Sequence, residues 1–281
     1  MRMQKEVDMI HNTYPIQVEG SQSYARLITY IYEYSKDMAY NVRPLILICP
    51  GGGYTRTSDR ESESMALQFV AMGYHAAVLR YSCAPAKYPT ALTELATSIK
   101  MIREHAKEWG VNPDKIIVQG CSAGGHLAAS LGMFWDEDSL AERVGLTADQ
   151  HEILKPNGMV LCYPVITSGE FAHRGSFENL LGDREAELGE KMSLEKQVTA
   201  KTPKSFIWHT FEDQSVPVEN SLLLVSAFRK AGVPVEFHMY PKGAHGLALA
   251  NHLTETNDGR AVQLECTSWI GLAKTWLENL E

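Results

Sequence analysis

The sequence predicts an α/β fold: a mostly parallel central sheet, helices on both faces and an antiparallel N-terminal start. Two patterns point to it. Short apolar runs lack the polar alternation of a one-sided sheet, and they exchange regularly with segments of helical spacing. Size agrees: 281 residues, 44% hydrophobic and 21% charged, suit one large core and exclude a disordered chain or a long coiled coil. We read residues 1–281 as one domain, with candidate pocket-wall insertions at 136–155 and 167–203.

The elements follow in order. Tyr30-Ile31-Tyr32-Glu33-Tyr34 alternates, as an antiparallel opening strand does. Leu45 to Cys49 is apolar throughout and ends at Pro50-Gly51-Gly52-Gly53. Ser58-Asp59-Arg60-Glu61 has the S-x-x-E form of a capping box, which predicts a helix to about Met72, stopped by Gly73. Tyr74 to Arg80 is the next strand. Thr90 to Trp109 carries Leu92, Leu95, Ile99 and Ile102 at helical spacing and ends at Gly110. Lys115 to Gln119 reads as a strand and Gly124 to Trp135 as a helix. Met159 to Tyr163 and Ser205 to Trp208 are strands, Pro217 to Ala231 a helix, Val235 to Met239 a strand and Ala261 to Leu280 the final helix. Segments 136–155 and 167–203 break this rhythm; each is a pocket wall or a solvated connector.

Charge narrows the partners. Lys plus Arg total 26 against 34 for Asp plus Glu, a net charge of −8 with no basic cluster. That argues against nucleic acid and anionic membrane surfaces. The apolar runs are strand-sized, well short of the ~20 residues of a membrane span. Met1 to Ile10 mixes Arg2, Lys5, Glu6 and Asp8 among apolar residues and lacks the apolar core of a secretory signal. The five cysteines are odd in number and form no C-x-x-C, so free buried thiols are expected rather than disulfides or a zinc site. A cytoplasmic location is the resulting expectation.

Gly120-Cys121-Ser122-Ala123-Gly124 is a G-x-S-x-G motif between a β-branched strand and a small-residue helix. On such a tight turn the serine hydroxyl stands clear of the sheet, and its neighbours two residues away must be small. Ser122 then lies at a helix N-terminus, where the dipole favours a developing oxyanion. Cys121 is the rival nucleophile, but the neighbour of the elbow residue points elsewhere.

Pro50-Gly51-Gly52-Gly53-Tyr54 supplies an oxyanion loop after an earlier strand. Successive glycines let backbone amides turn inward. Gly52 and Gly53, with Ala123, are the candidate donors; Gly51 and Gly52 fit almost as well. Tyr54 beside them is a candidate substrate contact. A Walker loop needs G-K-[ST] after its glycines, and Tyr54-Thr55-Arg56 stands there instead.

The acid and base should follow the serine in the order Asp or Glu, then His. Asp213 follows the strand ending at Trp208, ahead of Val216-Pro217, and is preferred to Glu212. His245 follows the last strand between small residues. His126 is expected to pack in the elbow helix, His209 behind the acid loop, and His252 at the surface. None of the ten histidines has the spacing of H-E-x-x-H, so neither metal nor cofactor is expected.

Together these residues resemble the α/β-hydrolase superfamily over almost the whole chain. More narrowly the chain is similar to small esterases related to acetyl-xylan and carbohydrate esterases, some called lipase-like or xylanase-like. The carrying segments are Cys49 to Tyr54, Ser58 to Glu61, Gly120 to His126, Trp208-His209-Thr210 with Asp213, and Gly243 to Gly246. Hormone-sensitive-lipase-like relatives have His where this chain has Pro50; the glycines are kept. The resemblance implies a serine esterase, with acetylated carbohydrates among its candidate substrates. Its rivals are an arylformamidase-like amidase with the same triad and an inactive hydrolase fold that binds a ligand. A xylanase would need two carboxylates flanking a glycosidic bond, and no such pair stands out. Asp136-Glu137-Asp138 and the charged, glycine-broken 167–203 segment argue against a long apolar lid; Phe171, Phe177 and Leu180-Leu181 suit a small pocket, which predicts hydrolysis of acetyl to butyryl esters.

Overall fold

The computed structural model of the chain describes residues 9–280, so the leader reading of Met1 to Ile10 falls mostly outside the described residues. Nine strands are present among them: β1 (Met9–Ile10), β2 (Thr13–Pro15), β3 (Arg26–Tyr32), β4 (Arg43–Cys49), β5 (His75–Arg80), β6 (Val111–Cys121), β7 (Gly158–Cys162), β8 (Ser205–Thr210) and β9 (Val235–Tyr240). They form one sheet in the order β1-β3-β5-β4-β6-β7-β8-β9, with β2 on β3. β3 runs antiparallel to β5, and the pairs from β5 through β9 are parallel.

The helices are α1 (Glu63–Ala71), α2 (Thr90–Glu104), α3 (Ala106–Trp109), α4 (Ala123–Phe134), α5 (Asp138–Arg143), α6 (Arg174–Leu181), α7 (Glu185–Leu188), α8 (Glu219–Ala231) and α9 (Trp269–Glu278). They cover both faces of the sheet. Leu45, Leu47 and Cys49 of β4 face a core completed by α2, α4 and α8, while Ile46 and Ile48 face a second core with α1 and α9. This is the period-2 alternation of a strand, hidden in the sequence because both faces are apolar.

Three element readings change. The helix expected from Ser58 begins at Glu63, and its N-cap Ser62 makes no side-chain cap. His105 splits the long helix into α2 and α3, and left-handed Gly110 (φ 64°) closes it. The last helix is shorter, with a 3-10 turn over Leu264–Ser268 ahead of α9.

The topology sets the site. From β4 the chain crosses to β5 on one side, then returns to β6 on the other. Neighbouring β4 and β6 therefore send their carboxyl-end loops apart, leaving a crevice where ligands settle in such sheets. Cys49 of β4 is in register with Gly120 of β6, so the Pro50–Gly53 loop and the Ser122 turn flank that crevice.

Candidate active site

Ser122 lies between the end of β6 and the start of α4 with φ 54° and ψ −121°. A serine pays strain for that backbone, and three hydrogen bonds hold it. Its amide donates to the Cys162 carbonyl (3.0 Å), and its carbonyl accepts from His126 (3.1 Å) and Val165 (3.1 Å). The flanking glycines are sterically required. A Cβ on Gly120 would stand 2.2 Å from the Gly124 carbonyl oxygen, and one on Gly124 would stand 2.1 Å from that of Cys49.

His245 and Asp213 come from the loops after β9 and β8. His245 Nε2 is 2.8 Å from Ser122 Oγ, and His245 Nδ1 is 2.6 Å from Asp213 Oδ2. The carboxylate can only accept, so Nδ1 carries the proton and Nε2 is left to accept from the serine. Asp213 Oδ1 accepts the amides of Ser215 and Val216, both at 2.9 Å. His209 Nε2 reaches Asp213 Oδ2 (3.2 Å) and the Val216 carbonyl (2.9 Å), so it lies behind the acid. Burial raises the Asp213 carboxyl, but hydrogen bonds from His209 and His245, the charge of His245 and the Val216 amide outweigh it and hold it well below the ordinary carboxylate range. Glu212 is exposed and takes only a long contact from the Gly243 amide (3.4 Å). Trp269 of α9 stacks on Trp208 and donates Nε1–H to the Ala248 carbonyl (3.0 Å), which fixes the loop carrying His245. His126 is buried, between the Tyr54 hydroxyl and the Met192 carbonyl, and His252 is exposed beside Glu255.

The glycine loop resolves its own alternative. The Gly51 amide donates to Glu61 Oε2 at 2.8 Å, which leaves Gly52 and Gly53, with Ala123, as the oxyanion candidates. Tyr81 anchors the Pro50 carbonyl (2.6 Å) and Asn179 the Gly53 carbonyl (2.9 Å). Tyr54 is a correction. It is 3% exposed and its hydroxyl meets His126 Nδ1 at 3.0 Å, so it packs under the loop instead of meeting substrate.

Glu61 is the second correction. It caps nothing: its other oxygen accepts from the Tyr163 hydroxyl (2.8 Å), which in turn accepts the Ala248 amide (2.9 Å). The Tyr163 ring stands edge-on to His245 at 5.2 Å. One buried carboxylate thus ties the glycine loop to the loop of the base. Glu61→Gln places an amide where two donors already point. We expect a loss of about 1–3 kcal/mol in stability and a kcat about tenfold lower with little change in KM. Parental melting and parental kcat together would refute that role.

A family model described as BD-FAE matches residues 31–228. The chain belongs to the BD-FAE family. It is 36% identical to endo-1,4-beta-xylanase B of Butyrivibrio fibrisolvens over 74% of this chain and 33% of that protein. It is 29% identical to an acetylxylan esterase of Xylanibacter ruminicola, over 70% of this chain and 39% of that one. The chain therefore spans between a third and two fifths of these two curated relatives. Among solved structures, an acetyl ester-xyloside bifunctional hydrolase from Caldicellulosiruptor lactoaceticus superposes with a TM-score of 0.78 at 36% identity, covering 99% of this chain and 98% of that one. These likenesses establish the α/β-hydrolase fold expected from the motifs.

The two irregular segments of this BD-FAE chain differ in place. Residues 167–203 include α6, whose Ser176, Phe177 and Leu180 pack on Tyr54 and His126 and leave no water-sized space between them. Residues 136–155 form α5 and a 3-10 turn that pack on α2, with Lys100 holding the Val144 carbonyl at 2.8 Å. That segment braces α2, and Glu137 pairs with Lys191 (2.8 Å) of the 167–203 segment. No helix among the described residues is long and apolar enough to cross a membrane, and no three His, Cys, Asp or Glu side chains there converge as metal ligands.

Proposed function

We propose that this protein is a serine carboxylesterase that hydrolyses short acyl esters, acetyl to butyryl, with acetylated carbohydrates as natural candidates. The observation that carries this is the continuous relay from Ser122 Oγ through His245 to Asp213. In the proposed cycle Ser122 attacks the ester carbonyl as His245 Nε2 takes its proton. Asp213 holds the ring and stabilises its charged form. The Gly52, Gly53 and Ala123 amides receive the negative oxygen. His245 then protonates the leaving alcohol, and water, deprotonated by the same ring, releases the acid. An assembled relay favours turnover over a binding-only role.

Short acyl length is supported by how tightly the ground beside the elbow is filled. Phe177 and Leu180 are buried against Tyr54 and His126, with no water-sized space left between them. A longer chain would leave methylenes in water, each forgoing ~0.8 kcal/mol, or clash with the wall. The acetylated-sugar part is supported by the likeness to an acetylxylan esterase and to an acetyl ester-xyloside bifunctional hydrolase. Five buried, unpaired cysteines support a reducing, cytoplasmic setting. Rates on p-nitrophenyl esters of two to twelve carbons should peak at four or fewer. A peak at eight or beyond would remove the short-acyl reading, and no hydrolysis of any ester would remove the esterase reading.

A further inference from the structure

His173 opens α6 and has no part in the relay. Its ring nitrogen Nδ1 caps that helix, accepting from the Ser176 amide (3.3 Å) and meeting the Ser176 hydroxyl at 2.8 Å. With Nδ1 accepting the amide, the proton of a neutral ring sits on Nε2. Burial lowers the basicity of the ring, and the nearby charge of His245 lowers it further, against a smaller opposing effect of Asp213. These effects favour the neutral form, which carries its proton on Nε2.

The place of that N–H matters. Ring carbon Cε1, bonded directly to Nε2, would lie 3.8 Å from a Cβ built on Gly53 of the oxyanion loop. The ring is half-buried, and among the described residues Nε2 has no hydrogen-bond partner. Asn179 of the same helix is spent on the Gly53 carbonyl (2.9 Å). A ring that carries a free donor thus stands beside the oxyanion loop and within electrostatic reach of His245. An ester with an apolar alcohol offers it nothing. A polyol offers hydroxyl and ring oxygens that accept hydrogen bonds.

We infer that His173 is a specificity-determining residue whose Nε2–H binds an oxygen on the alcohol side of a partly acylated sugar. This rests on the esterase reading. The cap and the donor belong to one ring, so the helix that walls the pocket also aims the recognising group.

The test separates capping from recognition. Asn is among the best N-cap residues, and Ser is another. His173→Asn and His173→Ser keep an acceptor for the Ser176 amide but are too short to carry a donor to the Nε2 position. Each enzyme is assayed on acetylated xylose and on p-nitrophenyl acetate. The ratio of kcat/KM for the sugar ester over the aryl ester should fall about tenfold in both variants, mainly through KM of the sugar ester. An unchanged ratio, with or without a general loss, makes His173 a cap alone and overturns the inference. A parent enzyme that cleaves p-nitrophenyl acetate but no sugar acetate also overturns it, and leaves the esterase reading standing. A parent inactive on both removes that reading itself.

Discussion

Ser122→Ala should lower kcat by at least ~10³-fold with the fold intact, because nucleophile and base act as one unit. The hydroxyl it removes is the group 2.8 Å from His245 Nε2. The backbone bonds that hold the turn come from Cys162, His126 and Val165, and all survive the change. Alanine bears the same positive φ as serine, so stability should move little. Cys121→Ser is the control. Cys121 is fully buried, and burial drives its thiol far above the ordinary range, so it stays protonated and cannot attack. A fluorophosphonate should label the parent and the Cys121→Ser protein, and not Ser122→Ala. Persisting turnover in Ser122→Ala, with silence in Cys121→Ser, would overturn the mechanism.

The parts of the site that were legible in the sequence are those fixed by local constraint. The elbow needs two small residues within two positions of Ser122, because strand and helix approach within contact distance there. That requirement is written into consecutive letters. The acid and base were legible through chain order and the strands before them, and Asp213 and His245 do meet. The losses are non-local. Glu61 matched a capping box because the local pattern is the same, while its partners lie ten residues back at Gly51 and 102 residues on at Tyr163. Tyr54 follows the glycines directly, but its positive φ (56°) and its bond to His126 turn it under the loop. His173 carries no sequence signal, since histidine is an unusual helix cap. The two irregular segments look alike in composition; only packing distinguishes the one on α2 from the one beside the elbow.

Asp213→Asn should cost on the order of 10³ to 10⁴-fold in kcat. An amide in that place can turn its NH₂ toward His245 Nδ1, which then becomes an acceptor. The ring proton moves to Nε2, where it meets the serine hydroxyl and blocks it as a base. Glu212→Gln should change kcat by no more than a few fold, since Glu212 is exposed and touches neither histidine. The opposite ranking would move the acid to Glu212. Stability carries a second, independent signature. The folded Asp213 carboxyl is depressed, so its ionised form stabilises the native state at pH above the unfolded value of ~3.9. That contribution drains away as pH falls through this value toward the depressed folded one. The parent should therefore melt above the Asn variant at neutral pH, and the gap should shrink steadily below pH ~4. A gap of constant size from pH 7 down to pH 2 would mean that the charge of Asp213, held by His209 and His245, is not what stabilises this loop.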